Sequence, residues 1–137
     1  MTLLTSDIFF TDMTEAKPIK SHRDLIAWQK AMDLTVQVYK ITKSFPREEI
    51  YGLTSQIRRA ASSTPANIAE GQGRRFGREF QQFLANSRGS LFELDTHLEL
   101  AFRIAYLNKE QYQDLRNKCD EVGRILNGLM RSLDSQN

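Results

Sequence analysis

The sequence predicts an all-α protein, an antiparallel up-down four-helix bundle. Apolar residues recur every three or four positions along four successive segments, the mark of helices with one buried face. No stretch alternates apolar and polar residues as a half-buried strand does. The seven glycines and three prolines fall mainly near the ends of the periodic segments. The connections between segments are therefore short, and short connections make antiparallel neighbours.

Residues 1–21 show no sustained period and contain Pro18. They read as an N-terminal tail, flexible or packed through Ile8, Phe9 and Phe10, ahead of a bundle domain over 22–137. The first helical stripe is Leu25, Trp28, Met32, Thr35, Tyr39 and Thr42, widened by Ala31 and Val38, and it ends near Phe45. Pro46 suits the first turn of the next helix, and Glu48 and Glu49 suit its positive dipole end. The second stripe runs Ile50, Leu53, Ile57, Ala60, Ala61, Thr64 and Ile68, with Gly71 and Gly73 as its stop. Pro65 lies inside it. Its ring removes one backbone bond and crowds the Ala61 carbonyl, so a bend is expected, with Ser62, Ser63 and Thr64 placed to satisfy freed carbonyls.

The third stripe is the longest: Phe76, Phe80, Phe83, Leu84, Ser87, Leu91, Leu94, Leu98, Ala101, Ile104 and Ala105. Gly89 and Ser90 in its middle are small enough to admit a close neighbour. The fourth opens on Asn108, an N-cap with Gln111 three residues on. It carries Tyr112, Leu115, Cys119, Val122, Leu126, Leu129 and Leu133.

Net charge is +2 and by itself implies no partner. Its distribution does more. Residues 56–90 hold six arginines (Arg58, Arg59, Arg74, Arg75, Arg78, Arg88), no lysine, and two acids, Glu70 and Glu79. That segment is +4 and the rest −2, thirteen cations against fifteen acids. A local excess made only of arginine suits phosphate or carboxylate recognition. An antiparallel second and third helix would bring Arg58 and Arg59 near Arg88 and gather Arg74, Arg75 and Arg78 around their hairpin. Two readings stand side by side: a phosphate-binding surface, and a solvated face with intrachain salt bridges. Within the same run, Pro65, Asn67, Glu70 and Gly71 read as structural. Asn67 bonds backbone freed by Pro65, Glu70 caps or pairs with a hairpin arginine, and Gly71 ends the helix.

Other chemistries find no support. Glu70, Glu93, Glu99 and His97 suggest a metal site in a bundle, but a di-iron bundle needs two Glu-x-x-His pairs; Glu93 and His97 are four apart and His22 is remote. No metal or other cofactor is expected. Ser62, Ser63 and Ser90 lack a nucleophile elbow, and Gly71-Gln72-Gly73 lacks the strand and Lys-Ser/Thr ending of a phosphate-cradling loop. An enzyme is not expected. The one cysteine, Cys119, excludes an intrachain disulfide, sits at a core position and fits a reducing cytoplasm. Nothing in the sequence resembles a signal peptide or a membrane span. Apolar residues off the main stripe of the first helix, Ile26 and Val36, suit self-association.

The chain resembles the 23S rRNA intervening-sequence proteins over about residues 22–133. The likeness rests on Leu25, Trp28 and Ala31; Phe45-Pro46, Glu49 and Tyr51-Gly52-Leu53; Gln56-Ile57-Arg58-Arg59-Ala60; Pro65-Ala66-Asn67-Ile68-Ala69-Glu70-Gly71; and Phe80, Phe83-Leu84, Gly89-Ser90-Leu91 and Glu93-Leu94. Thr64, where an apolar residue is common, and the N-terminal tail depart from the pattern. The resemblance implies an antiparallel four-helix bundle assembled as a ring-like homopentamer. Some members are encoded inside inserts in large-subunit ribosomal RNA genes. Relatives are accessory proteins of diversity-generating retroelements, thought to bind nucleic acid and a reverse transcriptase. Carried onto this chain, the basic motif falls on Arg58 and Arg59. The expected function is non-enzymatic nucleic-acid binding, RNA or DNA, through the phosphate backbone. The alternative is a protein-interaction scaffold whose arginines meet a partner protein or a neighbouring subunit.

Overall fold

The computed structural model describes residues 18–74 and 77–136. They form four α-helices: α1 (Ile26–Thr42), α2 (Leu53–Arg74), α3 (Gly77–Arg103) and α4 (Lys109–Gln136). Residues 1–17, most of the expected tail, lie outside the described residues, as do Arg75 and Phe76. Pro18 to Leu25 leads into α1 through a short 3-10 turn capped by Ser21 and Asp24, and Ile19 packs on the core.

Contacts between neighbouring helices run in opposite residue order, which makes the bundle antiparallel. Thr35 of α1 meets Ala61 of α2, and Thr42 meets Arg58. Ser63 of α2 meets Ser90 of α3, and Gly71 meets Phe80 and Phe83. Gln81, Arg88 and Asp95 of α3 meet Asp134, Asn127 and Arg116 of α4. Lys30 and Gln37 of α1 meet Glu121 and Asp114 of α4, closing the square.

The α4 stripe is the plainest. Its side chains from Tyr112 to Leu133 are all buried, and Asn108 and Gln111 cap the helix reciprocally, at 2.8 and 2.9 Å. In α3 the buried set is Phe80, Leu84, Ser87, Leu91, Leu94, Leu98 and Ala101. Each fully buried leucine contributes about 1.5–3 kcal/mol relative to exposure.

Several expectations need correction. The buried face of α1 is Ala27, Ala31, Leu34, Thr35, Val38 and Thr42; Met32 and Tyr39 are 37% and 41% exposed. The smaller residues turn inward because α1 approaches α2 closely enough for the Thr35 hydroxyl to reach the Ala61 carbonyl at 3.0 Å. The α2 helix begins at Leu53, not Pro46; residues Arg47–Glu49 form a separate 3-10 turn. The Glu49 carboxylate then caps α2 by accepting from the Leu53 N–H at 3.0 Å and from the Tyr106 hydroxyl at 2.8 Å.

Gly71 does not stop α2, which runs through it to Arg74. It is buried where α2 and α3 come closest: a Cβ there would lie 2.8 Å from Phe83 Cβ and 2.9 Å from Phe80 Cδ1. Gly89, by contrast, faces open space. Finally, α3 stops at Arg103. Ala105 adopts φ 67°, and the Tyr106 and Ala105 N–H groups return to Ala101 and Phe102 carbonyls at 2.8 and 3.0 Å. That is a Schellman stop with alanine where glycine is usual.

Pro65 is accommodated within α2. The Ala61 carbonyl that it deprives of a donor lies 3.0 Å from the Thr35 hydroxyl of α1, which shares its one proton with the Ala31 carbonyl at 2.7 Å; the neighbouring serines do not serve it. Thr64 O accepts from Ser87 of α3 at 2.8 Å. Two buried carbonyls around the proline thus pin α2 to both of its neighbours.

Candidate functional site

The outer face of α2 and the adjoining face of α3 carry the arginine-rich segment. Each arginine has a distinct setting, fixed by helical phase and by what lies across from it.

Arg58 turns toward α1. Its Nε donates to Thr42 Oγ1 at 2.9 Å, a terminal nitrogen donates to the Tyr39 carbonyl at 3.3 Å, and its guanidinium lies 4.8 Å from the Tyr39 ring centre. Arg59, one residue on, is exposed and lines a groove of ≈ 720 Å³ between α2 and α3 with Gln56, Ala60, Ser62, Ser63, Ala66, Glu93 and His97. Small side chains hollow this groove, and charged ones rim it. Arg74 is engaged with carboxylates, 3.1 Å from Glu70 and 3.9 Å from Glu79, and sits over Phe83. Arg78 is exposed. Arg88 turns toward α4 and donates to Asn127 Oδ1 at 3.0 Å.

The expected cluster is therefore dispersed. Arg59 stands level with Glu93, not Arg88. Five residues along a helix are about 7.5 Å, and Arg88 points to a different neighbour. Arg74 and Arg78 do share the hairpin end; Arg75 lies outside the described residues. Charge compensation is the more informative property. Of the five described arginines of the segment, only Arg74 contacts a carboxylate among the described residues. Arg58 and Arg88 bond neutral oxygens, which orient a guanidinium and leave its charge intact.

The structural residues of the run behave as follows. Pro65 is buried. Asn67 donates to Ser63 O at 2.9 Å and Ser63 Oγ at 3.0 Å, and not, as expected, to the Ala61 carbonyl that Pro65 frees. Glu70 pairs with Arg74. Gly71 seats α3.

His97 lies 4.0 Å from Glu93, and among the described residues no three His, Cys, Asp or Glu side chains gather closely enough to hold a metal. Burial pushes the Cys119 thiol up to about 12, which leaves it un-ionised and a poor nucleophile at neutral pH. Burial also raises the Asp95 carboxyl, with Arg116 opposing. Among the described residues no helix is long and apolar enough to cross a membrane.

Sequence reasoning missed the groove as a whole. Gln56, Ser62, Ser63 and Ala66 lie on the polar side of the α2 stripe, where a periodicity count assigns nothing. Glu93 entered through the resemblance motif and, with His97, as a rejected metal ligand, neither pointing to a groove. The available signal was their four-residue spacing opposite an arginine on the neighbouring antiparallel helix.

The geometry has counterparts among known proteins. The model of the family described as 23S rRNA-intervening sequence protein matches residues 23–128. A crystal structure of a protein of unknown function from the S23 ribosomal protein family of Bacteroides thetaiotaomicron VPI-5482 is 24% identical. The match covers 77% of this chain and 99% of that one, with a TM-score of 0.70, a likeness of fold. No curated protein matches the chain.

Proposed function

The chain belongs to the 23S rRNA-intervening sequence protein family, and from that premise we propose that it is a non-enzymatic, oligomeric nucleic-acid-binding protein that grips the phosphate backbone with little sequence preference. One observation carries the reading. Four of the five described arginines in the segment over 56–90 meet no carboxylate among the described residues. A face neutralised by its own salt bridges would show the reverse. Uncompensated guanidinium groups favour an external anion, and the phosphate backbone supplies anions at regular spacing.

The test is anisotropy of labelled RNA and DNA oligonucleotides across a salt series. Affinity should fall steeply with salt. Arg59→Ala/Arg75→Ala/Arg78→Ala removes up to three contacts and should lower the log–log salt slope by about 2–3. Unchanged binding in that variant sinks the proposal. Arg58 is left in place because its bonds to α1 would confound the result.

A second reading has its own support. Met32, Val36 and Tyr39 on α1, Phe92 and Leu100 on α3, and Ile104 just beyond its end are 37–64% exposed. Two separate apolar faces on one copy suit a head-to-tail contact that closes a ring, in keeping with a homopentamer, or a protein partner such as a reverse transcriptase. Light scattering on Val36→Asp and Leu100→Asp tests the ring. Capture of partners with and without nuclease separates a scaffold, which keeps its partner, from a nucleic-acid bridge, which loses it.

A further inference from the structure

We propose that the turn joining α1 to α2 carries a second contact for nucleic acid, in which the Tyr51 ring stacks on an unpaired base while Lys40, Lys43 and Arg47 hold the adjoining phosphates. The inference rests on the nucleic-acid reading above and lies on the opposite end of α2 from the hairpin arginines.

Four observations support it. Tyr51 is 94% exposed, whereas Phe45, Phe80 and Tyr112 are each at most 8% exposed. An aromatic ring held almost wholly in water forgoes the burial available to it. The ring is also mounted on a fixed turn. Successive N–H groups of Glu49, Ile50 and Gly52 bond back to Pro46, Arg47 and Glu49 carbonyls at 2.9, 3.2 and 2.9 Å. Glu49 ties that turn to Leu53 and Tyr106, and Phe45 packs on the Tyr106 ring at 5.4 Å. A backbone already ordered loses little entropy when the ring is captured.

The surroundings select the occupant. Between residues 40 and 59 there are five cations (Lys40, Lys43, Arg47, Arg58, Arg59) and two acids, Glu48 and Glu49, a local +3. Lys40, Lys43 and Arg47 are exposed and none contacts a carboxylate among the described residues. Glu49 is occupied internally. A local +3 favours an anionic occupant over a second copy of the same corner. On α1, Tyr39 is 41% exposed and lies under the Arg58 guanidinium at 4.8 Å. Aromatic rings interleaved with free cations match a single strand, whose bases offer open faces. A duplex hides its bases and can use only the cations.

That difference sets the experiment. A fluorescein-labelled deoxythymidine 20-mer, a uridine 20-mer and a 20-base-pair DNA duplex are titrated by anisotropy with wild type, Tyr51→Ala, Tyr51→Phe and Lys40→Ala/Lys43→Ala/Arg47→Ala. Tyr51→Ala should weaken single-strand binding about five- to hundredfold and leave duplex binding within about twofold, with the salt slope unchanged. Tyr51→Phe should retain single-strand affinity. The triple variant should weaken both forms and flatten the salt slope. Circular dichroism checks that each variant is folded, and an exposed ring gives no reason for unfolding. Tyr51→Ala binding like wild type, or losing single strand and duplex equally, overturns the stacking contact. If Arg75→Ala/Arg78→Ala still weakens binding in that case, the hairpin reading survives alone. A wild type that binds none of the three probes overturns both.

Discussion

Replacing Gly71 by alanine tests the packing that holds the arginine-bearing hairpin together. In a helix interior the change should help, because alanine is favoured over glycine by about 1 kcal/mol. Here the added methyl would meet Phe83 Cβ at 2.8 Å, Phe80 Cδ1 at 2.9 Å and the Phe80 carbonyl at 3.3 Å. Carbons prefer about 3.5–4.0 Å. The nearest atom is a Cβ, fixed to the α3 backbone, so no change of rotamer relieves the contact and the two helices must part. Overpacking of this kind costs about 1–3 kcal/mol, which outweighs the propensity gain. Gly71→Ala should therefore lose up to about 2 kcal/mol, a fall in Tm of up to about 10 °C for a domain of this size. Gly89 supplies the control: it is helical, and an added methyl would find nothing within 4 Å, so Gly89→Ala should gain about 0.5–1 kcal/mol. Urea unfolding followed by far-UV circular dichroism measures both. If Gly71→Ala is as stabilising as Gly89→Ala, the close approach of α2 to α3 is refuted.

Other parts of the fold can be tested in the same way. Thr35→Val keeps the side-chain shape but removes the hydroxyl proton that the Ala61 carbonyl, opposite Pro65, shares with Ala31; it should cost about 0.5–2 kcal/mol by urea unfolding, and wild-type stability would show that water takes the role. Ala105→Gly should gain about 0.5–1 kcal/mol by the same measurement, because φ 67° strains alanine and not glycine; a loss would count against the left-handed stop. The Leu53 N–H, then the Tyr106 hydroxyl, hold the Glu49 carboxyl below its ordinary 4.5. A depressed folded value means that its contribution is complete above 4.5 and fades as pH falls through the lower folded value. Glu49→Gln should thus lower stability at neutral pH and flatten the acid limb, read from urea midpoints between about pH 2 and 7; parallel curves for variant and wild type would contradict the cap.

How far the sequence discloses the fold depends on how many stripes a helix carries. In α4 there is one, and every position from Tyr112 to Leu133 in it is buried. In α1 two interleave, one through Trp28, Met32 and Tyr39 and one through Ala27, Ala31, Leu34 and Val38. Periodicity follows the first, with Ala31 and Val38 only at its margin and Ala27 and Leu34 missed, whereas the partner helix selects by fit. The Thr35–Ala61 contact needs a close approach that tryptophan and tyrosine would prevent. Glycine shows a similar ambiguity. Near a helix end it signals either a left-handed stop or a close neighbour, and Gly71 is the second while Ala105 fills the first. Backbone angle and the facing side chain decide between them, and neither is written in the residue type.

The same division explains the arginines. Their number and neighbours in the chain were legible, and so was the local excess of charge. What each guanidinium touches was not, because adjacent residues on a helix point about 100° apart. Arg58 and Arg59 share one motif and go to different places: the first bonds Thr42 and Tyr39 across α1, and the second lines the groove facing Glu93 and His97. Charge alone would rank them equal as phosphate ligands. Geometry makes Arg58 a brace whose loss weakens the join of α1 to α2, and Arg59 a surface group whose loss leaves the bundle intact. A substitution series that treats the pair as one unit confuses stability with binding. Separated, Arg58→Ala should move the unfolding midpoint as well as remove a charge, whereas Arg59→Ala should move the salt slope alone, and the second is the cleaner measure of what the protein holds.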